Sequence, residues 1–179
     1  MRSTRSLLTA MVLGTVIGAS QVNAQCSGNG GSCNTTNTAS VTVGALVKLG
    51  MSSATTALTN PTADDIDGGN VLADNGPSFT IKANRSWTLK IKSGNATNWT
   101  YAGANAGVKP IGDLAWSTAA GGTFAAITNA DATFASGAGA SNGAAAQAFF
   151  RTSWQSDFTS ASNAPGTYSL PIVFTLTAP

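Results

Sequence analysis

The chain has 179 residues, and its nine basic and seven acidic side chains give it a formal net charge of +2. It contains no histidine, and every acidic residue is an aspartate. Because general acid–base and nucleophilic catalysis rely mainly on His, Glu or a Cys–His pair, this composition excludes the common catalytic triads, and we expect no enzyme activity. The near-neutral balance also gives no reason to expect nucleic acid or an anionic lipid surface as a partner.

The first 24 residues have the pattern of a secretory signal. Arg2 and Arg5 form a basic start, Leu7–Ala19 is an apolar run, and Val22-Asn-Ala24 suits cleavage before Gln25. The apolar run is too short to span a membrane, and no second one follows, so we expect no membrane insertion of the mature chain. The sequence therefore predicts a secreted protein, extracellular or at the cell surface, with 155 residues after cleavage, the size of one domain.

Both cysteines of the chain lie near this predicted mature N-terminus. Cys26 and Cys33 sit within a tail rich in Gly, Ser and Asn, residues 25–38. In an oxidising compartment two such cysteines are expected to pair, and a metal site would need further ligands. We predict a disulfide that closes a small loop in the tail.

The remaining residues, 39–179, show the period-two alternation of half-buried strands. The longest examples are Ala39–Met51, the two runs around Phe79–Ile91, and the C-terminal Gly166–Pro179. No window carries an apolar stripe at helical spacing; we expect Thr55–Gly76 to be mainly connection and Ala138–Ala148 to be a loop. The pattern predicts an all-β fold, an antiparallel, immunoglobulin-like β-sandwich in a single domain.

The alternation also predicts which side chains form the core. On the middle strand the large apolar residues share one parity, as do those of the C-terminal strand, and Trp116 follows Leu114 by two. The predicted core comprises Trp87, Leu89, Ile91, Trp116, Tyr168, Ile172, Phe174 and Leu176.

Three further aromatic residues stand among polar neighbours. Trp99 and Tyr101 share one face of a short segment, and Trp154 lies in Thr152-Ser-Trp-Gln155. Exposed rings of this kind can stack on sugars, so the three are candidates for a glycan platform. Packing beneath a loop or at the sandwich edge is the alternative.

One cluster of carboxylates is present. Asp64, Asp65 and Asp67 precede Gly68-Gly69 and could offer oxygen ligands to calcium. The cluster lacks the closing glutamate of a calcium loop, and Asp and Gly are also ordinary turn residues, so a solvated turn is the alternative. No other cofactor is indicated.

Two short motifs resemble known families. Trp87-Thr-Leu89 matches the Trp-x-Leu signature of the WxL domains of bacterial surface proteins, and Tyr168–Leu176 resembles their distal motif, with Phe174 in place of its tryptophan. The C-terminal strand also resembles those of secreted pilin-like and spore-coat-type sandwiches. The WxL resemblance implies non-covalent attachment to a cell wall or surface and no enzyme activity.

Two functions therefore stay open. The first is a structural or adhesive surface subunit whose N-terminal segment Ala39–Met51 adds to the sheet of another copy or another surface protein by β-augmentation, because strands at chain ends often lie at sheet edges. The alternative is that this segment pairs within its own chain, since consecutive strands usually neighbour one another. Pro171 cannot donate a ladder hydrogen bond, which suits an edge position for the last strand. The second is a module that binds cell-wall or other polysaccharide through Trp99, Tyr101 or Trp154.

Overall fold

The computed structural model describes residues 30–69 and 71–179. The predicted signal segment and Cys26 lie outside the described residues. The chain divides into two compact units, Met1–Thr42 and Val43–Pro179. The described part of the first unit, residues 30–42, contains no helix or strand.

The second unit is built almost entirely from antiparallel strands, which confirms the predicted all-β sandwich. Its described residues include one α-helix, α1 (Ala63–Asp67), of five residues, and two short 3-10 turns at Ile111–Asp113 and Ala161–Asn163. The strands are β1 (Val47–Met51), β2 (Val71–Ala83), β3 (Trp87–Ser93), β4 (Thr100–Ala102), β5 (Leu114–Ser117), β6 (Ala125–Ala126), β7 (Ala132–Gly137), β8 (Ser141–Ser153), β9 (Thr167–Ser169) and β10 (Ile172–Thr177).

Two sheets form the layers of the sandwich. The larger has the strand order β1-β2-β8-β5-β6, and the smaller has the order β10-β3-β7. β4 and β9 form a separate, two-stranded antiparallel sheet. The long strands β2 and β8 pair along most of their length, with register shifts between Asn75 and Ser78 and between Ile81 and Lys82.

The core lies between the two sheets and follows the alternation of the sequence. Along β3 the side chains of Trp87, Leu89 and Ile91 are buried, while the residues between them are half-buried. The facing sheet contributes the buried rings of Phe79 and Phe150. Tyr168, Ile172, Phe174, Leu176 and Trp116 pack against this core but are only partly buried.

The N-terminal strand is shorter than the alternation predicts, beginning at Val47 and not at Ala39. Its partner β2 ends at Ala83, which is paired with Val47. Beyond that point Asn84 makes the last bonds to this segment: its backbone N–H donates to the Leu46 carbonyl, its Oδ1 accepts from the Leu46 N–H, and its Nδ2 donates to the Gly44 carbonyl. Residues before Val47 therefore have no residue of β2 left to pair with. The predicted C-terminal strand is likewise divided, into β9 and β10, with Pro171 in the break.

Two predicted loops turn out to contain strands. β2 begins at Val71, inside the predicted connection Thr55–Gly76, and β8 begins at Ser141, inside the predicted loop Ala138–Ala148. Each gains its structure from the other, because Ser141–Ser153 pairs with Val71–Ala83. Cross-strand pairing thus overrides the weak local propensity of Ala and Gly for strands.

Candidate functional site: an open cleft beside the last strand

A cleft of about 1240 Å³ opens into the sandwich beside β10. Its lining comes from the segment Ser53–Thr62, from the stretch Asn163–Phe174, and from core side chains that include Trp99, Leu114 and Phe150. The cleft brings the hydrophobic core of the sandwich to the surface.

The last strand leaves its inner face incompletely covered. β10 is the edge strand of the smaller sheet and, among the described strands, pairs only with β3. The inward side chains of β3 are buried, whereas Ile172, Phe174 and Leu176 on β10 are half-buried. An apolar side chain loses roughly 25 cal/mol of stabilisation for each Å² left in water, so this edge carries an energetic cost in the isolated chain.

The segment Ser53–Thr62, hereafter the wall segment, forms another side of the cleft. From residue 53 to residue 61 it makes no backbone–backbone hydrogen bond to another described residue. Most of its residues are exposed, while the side chain of Leu58 packs against the core. Most of its backbone donors and acceptors are therefore available to a neighbouring strand.

Asp74 on β2 holds the wall segment in place. Its carboxylate accepts bonds from the Thr59 backbone N–H (3.1 Å to each oxygen) and from the Thr59 hydroxyl (2.6 Å). These bonds lie next to Leu58, so they fix the point at which the wall segment meets the core.

The predicted calcium ligands follow the wall segment directly and lie in α1 rather than in a simple turn. The Asp65 carboxylate accepts bonds from the backbone N–H and the hydroxyl of Thr62, and the Asp65 N–H donates to the Thr62 hydroxyl. This capping box starts the helix. Within the described residues, no three acidic or cysteine side chains gather closely enough to hold a metal ion, and calcium binding by Asp64, Asp65 and Asp67 stays a prediction.

A buried lysine, which no sequence pattern indicated, also lines the cleft. The side chain of Lys109 is fully buried, and its ammonium group donates to the Asp113 carboxylate (3.1 Å) and to the Ser153 carbonyl (2.6 Å). It also lies 3.9 Å from the centroid of the Trp154 ring, a cation–π contact. Burial lowers the pKa of Lys109, and the Asp113 carboxylate opposes this effect by its charge and its hydrogen bond.

The three aromatic residues predicted as a glycan platform come together around the same end of the molecule, but none is an exposed ring. Trp99 is buried, with 8% of its surface accessible, whereas Tyr101 and Trp154 are half-buried. A sugar would have to approach through the cleft, and glycan binding stays a prediction.

Tyr101 and Tyr168 face each other across the β4–β9 pair. Their ring centroids are 5.0 Å apart, and their hydroxyls donate to the carbonyls of Pro165 and Ala164, respectively, at 2.8 Å. Burial raises the pKa of Tyr168, and Tyr101 adds to the shift. The two tyrosines thus fasten the loop before β10, which lines the cleft.

The residues before β1 present apolar side chains to solvent. We call Asn34–Val43 the leading segment; all its residues are exposed, including Val41 (89%) and Val43 (68%). None of its backbone or side-chain groups forms a hydrogen bond with another described residue. Exposed valines at alternate positions are typical of a strand without a partner sheet.

Cys33 is disulfide-bonded. The predicted partner, Cys26, lies outside the described residues, so the Cys26–Cys33 pairing stays a prediction. No helix in the described ranges is both long and apolar enough to cross a membrane.

Comparison with known proteins gives little guidance. No protein-family model matches the chain, and no curated protein matches it in sequence. Among solved structures, a chain of a chaperone–usher pilus is similar, with a TM-score of 0.47 and 11% identity over 86% of this chain and 99% of that chain. The WxL resemblance gains no support, and the likeness to the pilus chain is too distant to indicate a function.

Proposed function

We propose that this protein is a secreted, non-catalytic structural or adhesive subunit of a bacterial surface, which associates with further copies of itself by strand addition. In this proposal the leading segment of one copy occupies the cleft of another and pairs with β10. The observation that carries it is the half-covered inner face of β10, in a chain that also exposes an alternating apolar segment without a hydrogen bond to any described residue.

The leading segment has the side-chain pattern that the cleft requires. In an extended chain Val41 and Val43 point to one side, and Ser40 and Thr42 point to the other. The valines would face the core beside Phe174, while the hydroxyls would remain in water. Burying a valine contributes roughly 1.5 kcal/mol or more, and added main-chain hydrogen bonds would satisfy the free edge of β10.

The charges of the two surfaces are also compatible. The leading segment has no charged residue, and Lys109 is the sole charged side chain among the described residues that line the cleft. Lys109 is already paired with Asp113. Inserting the segment would therefore bury no unpaired charge, the most costly event at an interface.

Sedimentation velocity on the full chain tests this proposal. We expect assemblies that grow with protein concentration, and we expect Val41→Asp with Val43→Asp to give a monomer, because two carboxylates would enter an apolar cleft. Ser40→Asp with Thr42→Asp is the matched control, since it adds the same charge to the opposite side and should preserve assembly. A wild-type chain that stays monomeric at high concentration, or two variants that behave alike, would refute the proposal.

A further inference from the structure

Asn84 holds the three residues that connect the leading segment to β1, residues 44–46, hereafter the connector. Its backbone N–H donates to the Leu46 carbonyl (3.2 Å), and its Oδ1 accepts from the Leu46 N–H (2.9 Å). Its Nδ2 donates to the Gly44 carbonyl (2.8 Å). The fold therefore fixes the chain as far as Gly44, although β2, the partner of β1, has already ended at Ala83.

The side chain of Asn84 takes the place of the next part of β2. In an antiparallel ladder, Leu46 would donate to the carbonyl of its partner residue, and Gly44 would accept from an N–H two residues further along the partner strand. A carboxamide offers both an acceptor and a donor, so one side chain supplies both bonds. The connector is thus bonded as an extended continuation of β1.

A chain that carries both the leading segment and the cleft can insert its own segment or that of another copy. A flexibly tethered segment has an effective concentration of about millimolar, whereas other copies in dilute solution are present at about micromolar concentration. With a flexible connector, self-insertion would therefore be favoured by roughly a thousandfold. A chain closed in this way could not add to another copy.

The sandwich leaves a path for such self-insertion. β1 pairs only with β2 among the described strands, so its other edge has no partner there. Met51 on β1 is paired with Phe79, whose ring lies 4.5 Å from that of Phe174 on β10. Met51 and Phe174 both line the cleft. A turn over the connector would lay the residues before it along this edge of β1, at the side of the cleft.

We propose that Asn84 is a positioning residue, which keeps the leading segment out of its own cleft and so directs it to a second copy. The inference rests on the proposed function. A turn over residues 44–46 requires the bonds to Asn84 to break, because these bonds hold the same residues extended. No residue lies between the bonded Gly44 and Val43, the last residue of the leading segment, so the chain cannot reverse its direction in between. Asn84 does not itself line the cleft.

Sedimentation velocity and hydrogen exchange on the full chain test this role. Asn84→Ala removes both side-chain bonds, and we expect it to assemble about tenfold less than the wild type at equal concentration, because its segment occupies its own cleft. In dilute solution, where both proteins are monomeric, the amides of the leading segment should exchange more slowly in the variant than in the wild type. Arg85→Ala, at the exposed neighbouring position, is the matched control and should behave like the wild type.

A second substitution separates positioning from a general loss of stability. A Cβ at Gly44 would meet no atom within 4 Å, and a β-branched residue there favours extended chain over a turn. Gly44→Val added to Asn84→Ala should therefore restore assembly severalfold, whereas it would not repair a destabilised sandwich. Gly44→Val alone should assemble like the wild type.

The outcomes distinguish this role from strand addition itself. Equal assembly of Asn84→Ala and the wild type would overturn the role of Asn84 and leave strand addition intact. A monomeric Asn84→Ala whose leading segment exchanges as fast as in the wild type, or that Gly44→Val does not rescue, would also overturn it. If Asn84→Ala does not fold, Asn84→Asp, which keeps the acceptor for Leu46 and loses the donor to Gly44, carries the same expectations. A wild-type chain that never assembles would overturn both.

Discussion

The rings of Phe79 and Phe174 lie 4.5 Å apart, centroid to centroid, and join the two sheets. Phe79 is buried, whereas Phe174 is half-buried, and the ring of Phe134 lies 5.5 Å from each. This aromatic cluster supports the cleft and is also part of its lining, through Phe174.

The exposure of these rings predicts unequal mutational costs. Phe79→Ala should lower the free energy of unfolding by ~3–5 kcal/mol, as for other buried aromatic residues, and Phe174→Ala by about half as much, because part of its surface is already in water. Urea denaturation measures the difference, with both substitutions made in the Val41→Asp, Val43→Asp chain that we expect to be monomeric. Val173→Ala, at the exposed neighbouring position, is the control; equal losses for the two phenylalanines would contradict the half-buried state of Phe174.

The buried Lys109–Asp113 pair should matter more than the exposed pair at Asp131. Asp113→Asn leaves a buried ammonium group without its carboxylate, and we expect a loss of ~2–4 kcal/mol in unfolding free energy. Asp131→Asn removes the surface partner of Lys92 (3.1 Å) and of Lys90 (3.8 Å), and should cost less than about 1 kcal/mol. Comparable losses in thermal or urea unfolding would show that Lys109 is not buried as described.

Tyr168 predicts a pH dependence at the alkaline end. Because its pKa is raised in the folded chain, the unfolded chain loses the phenolic proton first, and stability falls as pH rises through the ordinary tyrosine value of about 10 toward the folded value. Tyr168→Phe should remove this part of the decline. The measurement is the unfolding free energy of the wild-type protein and of Tyr168→Phe from pH 8 to 11. If the difference between the two proteins stayed constant over that range, the prediction would be wrong.

Gly76 lies where no side chain fits. A Cβ at this position would overlap the ring of Phe150, which is buried and has little room to move. We expect Gly76→Ala to destabilise the protein by ~1–3 kcal/mol through overpacking. Gly121→Ala, whose Cβ would meet no atom within 4 Å, should be nearly neutral. If Gly76→Ala melted at the wild-type temperature, the packing of Phe150 on β2 would be wrong.

The predicted disulfide should have a local role. The described residues 30–42 contain neither helix nor strand, so reduction should leave the melting temperature of the sandwich within about 2 °C of the oxidised value. Thiol titration under denaturing conditions should find no free sulfhydryl before reduction and two after it. A large drop in melting temperature on reduction would assign the bond a structural role.

The alternation of apolar residues predicted the fold class and much of the core. When one face of a sheet is buried, every second residue of a strand must be apolar, because successive side chains point to opposite faces. Trp87, Leu89 and Ile91 are the clearest case. The same signal overextended β1: Val41 and Val43 alternate as a strand does, yet the described chain provides them with no partner. A pattern of side chains specifies a face to be covered and does not say which chain covers it.

The cleft itself could not be predicted from the sequence. The wall segment resembles an ordinary loop, and its importance depends on its bonds to Asp74 and on the position of β10, neither of which its own residues indicate. Lys109 stands between Val108 and Pro110 as a surface lysine would, since lysine is rarely buried without a partner that only the fold supplies. The polar neighbours of Trp99 and Trp154 in the sequence indicated a candidate site. They did not indicate that the indole N–H groups of both residues have no hydrogen-bond partner among the described residues.

The leading segment and the cleft are different surfaces of one chain, and this difference has a consequence for assembly. Under the proposed function a pair of subunits bound through one such contact still has one unused segment and one unused cleft. The contact is heterologous, so it gives open, polar chains of subunits unless the rotation between copies closes a ring. Assembly would then yield a broad distribution of lengths rather than a fixed stoichiometry, and the two ends of each polymer would differ chemically. One end would present apolar core to water, so a cap on that terminal cleft would be needed to keep short polymers soluble.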